Sequence, residues 1–410
     1  MTLIHTPPLA RSLTQDDGAV VVAWADGRRS VFHHFWLRDN CACATCGPHD
    51  SGARLQRLLD IPAEIAPASA SLEAGTLRIV WNDPHAHVSI YEGTWLRDHA
   101  YSPESLRQVR RHPKTLWDAT LPQWPGVEWD DVLNSEQARC DLHSHVEEYG
   151  FVLVRGLGTD LDTIETLANQ TGYIRETHYG RFFDLITRAK PVIVADLAGP
   201  LLPHTDEAYR GVPTGINMFH CIRPSEDGGG DTQLVDAHHV AALLAAQDPE
   251  AYDLLTSTPV RHERRIEGQS IVADVPPILL DSNGEVLEVR LNERTMSSLD
   301  VPAENMLPTY AALRQILSIA YAPENRIGYN LKAGEALLTD NLRVLHGRTG
   351  YNGDRHLRQT QVMRDEFFAK GRALRERLRP QPADQAQAPQ ATSIDLDSQA
   401  GTQSRDQVSR

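Results

Sequence analysis

Two groups of side chains in the 410-residue chain have the types and spacing of metal ligands. The first is Cys41, Cys43 and Cys46 in WLRDNCACATCGPHD, a C-x-C-x2-C run. Three thiolates this close can converge on one tetrahedral ion when a fourth ligand comes from elsewhere. His49, His85 and His87 are the candidates. Three thiolates and an imidazole close the coordination sphere, so the ion would be structural zinc with no position left for catalysis. The competing reading is three reduced, buried thiols without a metal.

The second group is built on His204 and Asp206 in LLPHTDEAYR. In an extended segment, residues i and i+2 project to the same side, so an imidazole and a carboxylate can chelate one ion from one short stretch. His346, in RVLHGRTGY, supplies a second imidazole 346 − 206 = 140 residues later. Two histidines and one carboxylate form the facial triad of non-haem Fe(II), which leaves three positions open for a bidentate cosubstrate and O₂. In a chain with 18 histidines, an isolated H-x-D reads equally well as a surface turn. The features that follow it sharpen the signal: Gly229-Gly230-Asp231-Thr232, a late strand, His346, then Arg355. A dicarboxylate such as 2-oxoglutarate, held on iron by its keto-acid end, needs a fixed bidentate cation for its far carboxylate, and arginine supplies one. Arg355 leads the strand candidate RHLRQTQVM, whose alternation turns Arg358 to the opposite face.

These residues need a scaffold, and the pattern predicts an α+β, mainly β chain. Residues 1–112 read as a small β-rich zinc-binding domain, with VVVAWADG and LRIVWND as strands and Asp26-Gly27 as a hairpin turn. Residues 130–378 read as a jelly-roll barrel with helical insertions. LNSEQARCDLHSHVEEYG (133–150) has helical periodicity ending at a glycine, and FVLVRGL follows as a buried strand. GINMFHCI, TQLVD, EALLTD and LRQTQVM are further strands; VAALLAAQDPEAYDLLTS and TYAALRQILSIAYA are helical. Residues 379–410, lacking aromatics and rich in Gln, Ser, Asp and Ala, are expected to be a disordered tail. No internal repeat is evident.

The net charge of 40 − 55 = −15 argues against a general nucleic-acid binder while leaving room for a local cationic pocket. No apolar run reaches membrane-spanning length, and MTLIHTPPLARSL lacks a signal-like stretch, so the expected location is cytoplasmic. Five cysteines, three of them clustered, do not form a secreted disulfide framework.

WLRDNCACATC, HTDEAYR, FHCIRPSEDGGGDTQLVD, LHGRTGY and RHL, in this order, resemble the γ-butyrobetaine dioxygenase and trimethyllysine dioxygenase group of Fe(II)/2-oxoglutarate oxygenases. The resemblance spans about residues 10–375. It implies a double-stranded β-helix, iron at His204, Asp206 and His346, 2-oxoglutarate at Arg355 with Thr232 assisting, structural zinc at Cys41, Cys43, Cys46 and a histidine, and a homodimer. The register of HVSIYEGTWL favours His87 over His85 as that histidine. It further implies a small-molecule substrate whose trimethylammonium group sits in an aromatic cage. Tyr179 and Phe183 fall on cage positions, but Asp196 and Gln361 stand where tyrosines are expected. Asp196 would replace π attraction with direct charge attraction. Asn292, in LNERT, falls near the substrate's acidic end, and Arg294 beside it would suit a phosphonate better than a monocarboxylate. γ-Butyrobetaine heads the expected substrates, and 2-trimethylaminoethylphosphonate is the alternative. Two non-enzymatic readings remain: a ligand sensor without turnover, and a zinc-tethered interaction protein.

Overall fold

The computed structural model describes residues 10–16, 18–47, 52–110, 114–186, 197–266 and 268–379. His49, Asp196 and residues 380–410 of the expected tail lie outside them.

The chain opens with two three-stranded antiparallel sheets. One contains β1 (Ala10–Asp16), β2 (Ala19–Trp24) and β3 (Arg29–His33); the other contains β4 (Pro67–Glu73), β5 (Thr76–Trp81) and β6 (Val88–Glu92). Val20, Val22, Trp24, Leu77, Ile79 and Trp81 share one core between them. The two sheets are copies of one unit, which corrects the expectation of no repeat. Trp24 Nε1 donates to Ser30 Oγ, and Trp81 Nε1 donates to Ser89 Oγ, each at 2.8 Å. Each unit ends in a short helix, HFWLRD (His34–Asp39) or GTWLRD (Gly93–Asp98). The arginine of each WLRD reaches an aspartate of the other unit: Arg97–Asp26 at 2.7 Å and Arg38–Asp83 at 3.8 Å. The repeat is only partly visible in the sequence because its offset drifts from 81 − 24 = 57 to 95 − 36 = 59 residues. The two extra residues lie in the β5–β6 connection, which carries His87.

The remaining strands are β7 (Gly126–Glu128), β8 (Phe151–Arg155), β9 (Phe182–Ile186), β10 (Leu201–His204), β11 (Ile216–Arg223), β12 (Thr232–Asp236), β13 (Val260–Ile266), β14 (Gln269–Val275), β15 (Ile278–Leu280), β16 (Val286–Val289), β17 (Ile327–Tyr329), β18 (Ala336–Asp340), β19 (Val344–Arg348) and β20 (His356–Val362). They build a six-stranded sheet, β7-β8-β18-β11-β20-β9, a four-stranded sheet, β10-β19-β12-β17, and two two-stranded pairs, β13-β14 and β15-β16. Phe151, Phe219, Leu337 and Leu357 of the first meet Leu234, Ile327 and Val344 of the second in one core, the expected jelly roll. The outer face of the six-stranded sheet packs on helices Glu136–Tyr149, Thr163–Thr171 and Arg364–Leu378. Helices Ala237–Gln247, Pro249–Ser257 and Ala303–Tyr321 pack beside the other sheet. No described helix is long and apolar enough to cross a membrane.

Two helix boundaries differ from the pattern. The helix expected from residue 133 starts at Glu136, because Ser135 caps it by accepting the Ala138 N–H. It ends as expected at Gly150, in the left-handed region at φ +82°. The apolar run 240–257 breaks at Asp248, whose side chain caps the next helix ahead of Pro249.

One polar pair ties the barrel to its wrapping. Arg343, 1% exposed, lies 3.3 Å from Asp236, 0% exposed. The guanidinium also donates to the carbonyls of Thr115, Glu147 and Glu148. Asp236 accepts the Trp117 and His238 backbone N–H groups. Removing one partner strands a buried charge, so Arg343→Met should cost about 3–5 kcal/mol. Urea unfolding measures it; a loss below about 1 kcal/mol would contradict this role.

Candidate metal centres and active site

β10 and β19 are antiparallel neighbours with His204 opposite His346. A bulge between Leu201 and His204 lets the edge strand carry Pro203, which an inner strand would not tolerate. Gly347 makes the approach possible: a Cβ there would stand 2.5 Å from the Leu201 carbonyl oxygen and 2.8 Å from the Pro203 nitrogen. His204 Nε2 lies 3.2 Å from Asp206 Oδ1, and His346 Nε2 lies 3.2 Å from Asp206 Oδ2. Ligands about 2.1 Å from one ion at right angles sit about 3 Å apart, close to both distances, and the ligand atoms of the three residues lie within 4.8 Å of one another.

The surroundings fix this arrangement. His204 Nδ1 is 2.9 Å from the Leu202 carbonyl, which makes Nδ1 the protonated nitrogen and leaves the Nε2 lone pair for a metal. Burial also pushes the His204 imidazole below its ordinary pKa, toward the neutral form a ligand needs. For Asp206, burial opposes ionisation, but the His346 and His204 rings outweigh it and hold the carboxyl well below the usual range. Asn341 brackets the Asp206 backbone, accepting its N–H at 2.8 Å and donating to its carbonyl at 3.0 Å. Asn217 Nδ2 donates to Asp206 Oδ2 at 3.2 Å. Neither asparagine was singled out from the sequence.

The triad opens into a cavity of about 240 Å³. Arg355, Thr232, Tyr179, Phe183, Asn292 and Arg294 all line it. On β20 the cavity-facing residues Leu357, Gln359 and Gln361 alternate, and Arg355 shares their parity. Arg358 faces away and pairs with Asp184 at 3.3 Å. Arg355 is buried, lies over the Tyr351 ring and donates to the Gly230 carbonyl. Gly230 has φ +76°, and a Cβ there would sit 3.0 Å from Arg355 Nε, so this glycine makes room for the guanidinium. The Asn292 amide is occupied by backbone: Nδ2 donates to the Thr205 carbonyl and Oδ1 accepts the Arg294 N–H. It therefore holds the Arg294 turn against the segment bearing Asp206. Arg264, Arg348, Glu207 and Tyr209 also line the cavity and were missed. Arg348 was findable, since it lies two residues past His346 on the same strand. Glu207 sits at φ +51°, outside the usual range for its type, with Oε2 3.0 Å from Arg210 Nε and accepting from Thr214 Oγ1.

Between the two N-terminal units, His87 Nε2 lies 3.3, 3.6 and 3.6 Å from the sulfurs of Cys41, Cys43 and Cys46. Zinc bond lengths of about 2.3 Å to sulfur and 2.05 Å to nitrogen, at the tetrahedral angle, require about 3.6 Å. His85 is exposed and stands outside the cluster. Asp83 Oδ1 accepts the His87 backbone N–H at 2.9 Å, and Arg38 Nη1 donates to Cys46 Sγ at 3.3 Å. Burial, with the neighbouring Cys43 and Cys46 thiols, pushes the Cys41 thiol up to about 11, and a divalent cation would make a thiolate there favourable. The donor set fits structural zinc.

Two family models cover most of the chain. The model described as gamma-butyrobetaine hydroxylase-like, N-terminal, matches residues 11–107. The model described as taurine catabolism dioxygenase TauD, TfdA family, matches residues 109–361. The chain belongs to the TauD, TfdA dioxygenase family. With its two metal-ligand sets, this TauD-family chain is an Fe(II)/2-oxoglutarate dioxygenase with a zinc-type Cys₃His site. It is 33% identical over 374 residues to the trimethyllysine dioxygenase of Meyerozyma guilliermondii (87% of this chain, 93% of the relative). It is 33% identical over 369 residues to the gamma-butyrobetaine dioxygenase of Pseudomonas sp. strain AK-1 (88% and 95%). It is 27% identical over 375 residues to the human gamma-butyrobetaine dioxygenase (88% and 96%).

Gly347→Ala should force β10 off β19 and part the two imidazoles. Co(II) titration should show affinity reduced at least roughly tenfold, the scale of a lost supporting contact at a metal. Unchanged affinity would refute the close-approach argument.

Proposed function

We propose that this dioxygenase hydroxylates an unactivated C–H bond of a small trimethylammonium compound with an acidic tail, of the γ-butyrobetaine type. Tyr179 and Phe183 carry this reading: their ring centroids are 5.6 Å apart at 36°, in the same cavity as His204, Asp206 and His346. A quaternary ammonium donates no hydrogen bond and is held by aromatic faces. The named relatives support the same substrate class.

In this reading His204, Asp206 and His346 hold Fe(II), and Cys41, Cys43, Cys46 and His87 hold zinc. Bound iron, with 2-oxoglutarate and O₂, supplies the oxidising power that breaks the C–H bond. The chain's own side chains bind and orient. Arg355 grips the far carboxylate of 2-oxoglutarate, with Thr232 beside it. Tyr179 and Phe183 seat the ammonium, and Asp196 adds a negative charge. Arg294 faces the acidic tail, and Asn292 holds its turn in place. Holding both ends fixes which carbon approaches the metal. The family resemblance is the support for a homodimer.

Two experiments test the assignment. Purified chain with Fe(II), 2-oxoglutarate and O₂ should release succinate in the presence of γ-butyrobetaine, trimethyllysine or 2-trimethylaminoethylphosphonate, and not with taurine. His204→Ala should abolish the release. Binding of these compounds without succinate would favour a sensor; coupling to taurine alone would overturn the substrate class. For zinc, His87→Ala should lose the ion by elemental analysis while His85→Ala retains about one per chain. The reverse pattern would exchange the two histidines.

A further inference from the structure

The charges that line the cavity do not balance once each is assigned. Four guanidiniums, Arg264, Arg294, Arg348 and Arg355, face two carboxylates, Asp206 and Glu207. Asp206 belongs to the metal and Arg355 to 2-oxoglutarate in the reading above. Arg348 donates to the Leu197 carbonyl. Glu207 is matched by Arg210 at 3.0 Å and Arg175 at 4.0 Å. Arg264 and Arg294 remain. Among the described residues, no carboxylate lies within ion-pairing distance of either, and Arg264 Nε is buried without a partner.

The backbone brings these two arginines to one wall. β13 runs beside the 292–297 turn: the Ser297 N–H donates to the Arg261 carbonyl, and His262 bridges to Met296. His262 Nδ1 meets Thr295 Oγ1 at 3.1 Å. Arg264 is two residues further along the strand, so it leaves by the same face as His262, toward that turn and into the cavity. Arg294 is held from the other side, its N–H on Asn292, which is itself tied to Thr205 beside Asp206.

We propose that Arg264 is a specificity-determining residue which, with Arg294, selects a trimethylammonium substrate whose acidic end carries two negative charges on a tetrahedral oxyanion, a phosphonate or a phosphate monoester. This rests on the function proposed above and narrows it. A monocarboxylate can compensate one of the two guanidiniums and leaves the other unmatched in a partly desolvated wall. A dianion compensates both and offers three acceptor oxygens to the two forks. Tyr179 and Phe183 keep the ammonium end.

The test uses the Fe(II)-loaded full chain and four compounds with the same cation. γ-Butyrobetaine is the carboxylate; its phosphonate isostere keeps the chain length; the corresponding sulfonate is tetrahedral but singly charged; phosphocholine is the phosphate ester. Succinate formation gives kcat/KM, and anaerobic calorimetry in the presence of 2-oxoglutarate gives Kd without turnover. The phosphonate or phosphocholine should exceed both monoanions by at least roughly tenfold in both measurements, the effect of one extra charge-assisted hydrogen bond. Whichever of the two leads identifies the source of the dianion. Arg264→Gln should remove roughly tenfold for the dianion and leave γ-butyrobetaine within about threefold, Arg294→Gln should weaken all four compounds, and Arg264→Lys should restore part of the Arg264→Gln loss. Equal or better use of the carboxylate overturns the inference and leaves the proposed function standing, as does an Arg264→Gln loss shared by all four compounds. No binding or turnover of any of the four takes down both.

Discussion

The site depends on one close approach between two backbones. β10 can lie against β19 only because residue 347 has no side chain, since any Cβ there would meet the Leu201 carbonyl. That contact sets His204 opposite His346, and Asp206, two residues beyond His204, completes the set with one oxygen toward each ring. The edge position of β10 is part of the same solution, because it accepts Pro203 and a bulge at no cost to an inner ladder. Everything downstream, from metal capture to the orientation of a substrate carbon, inherits its precision from this pairing and from the asparagines that bracket Asp206.

The same chain handles charge in three distinct ways. In the barrel wall, Arg343 and Asp236 neutralise each other and consume nearby carbonyls and N–H groups, so the pair is structural and inert. At the cysteine cluster, burial disfavours a free thiolate at Cys41, and a cation would offset that cost. In the cavity, guanidiniums outnumber carboxylates, so the deficit falls to ligands. A strongly acidic protein thus contains a locally cationic pocket, and overall net charge says nothing about the ligand it admits.

Legibility followed how local each signal was. The cysteine run, H-x-D, His346 and Arg355 were readable because residue type and short-range parity define them. Strands such as β12 and β18 were readable as short apolar runs between turns. Glu207 and Tyr209 were not, because what marks them is a backbone angle and a cavity wall rather than a pattern. Arg264 was hidden differently: on a strand with alternating charge, RHERRI, only the neighbouring turn decides which arginine points inward. The N-terminal duplication was legible in the repeated WLRD of Trp36–Asp39 and Trp95–Asp98, but an insertion shifts the offset of the preceding tryptophan–serine pairs, and the reciprocal ion pairs are visible only in space. The choice between His85 and His87 turned on two residues of register, and the distances to three sulfurs separate them clearly.

The central claim is that a carboxylate and two imidazoles share one ion, independently of an ion held by Cys41, Cys43, Cys46 and His87. Equilibrium dialysis against Fe(II) under argon, followed by elemental analysis, tests it most directly in wild type and Asp206→Ala. The account predicts about one iron and one zinc per wild-type chain, and zinc alone in the variant. Full iron retention by Asp206→Ala, or loss of both metals together, would contradict it.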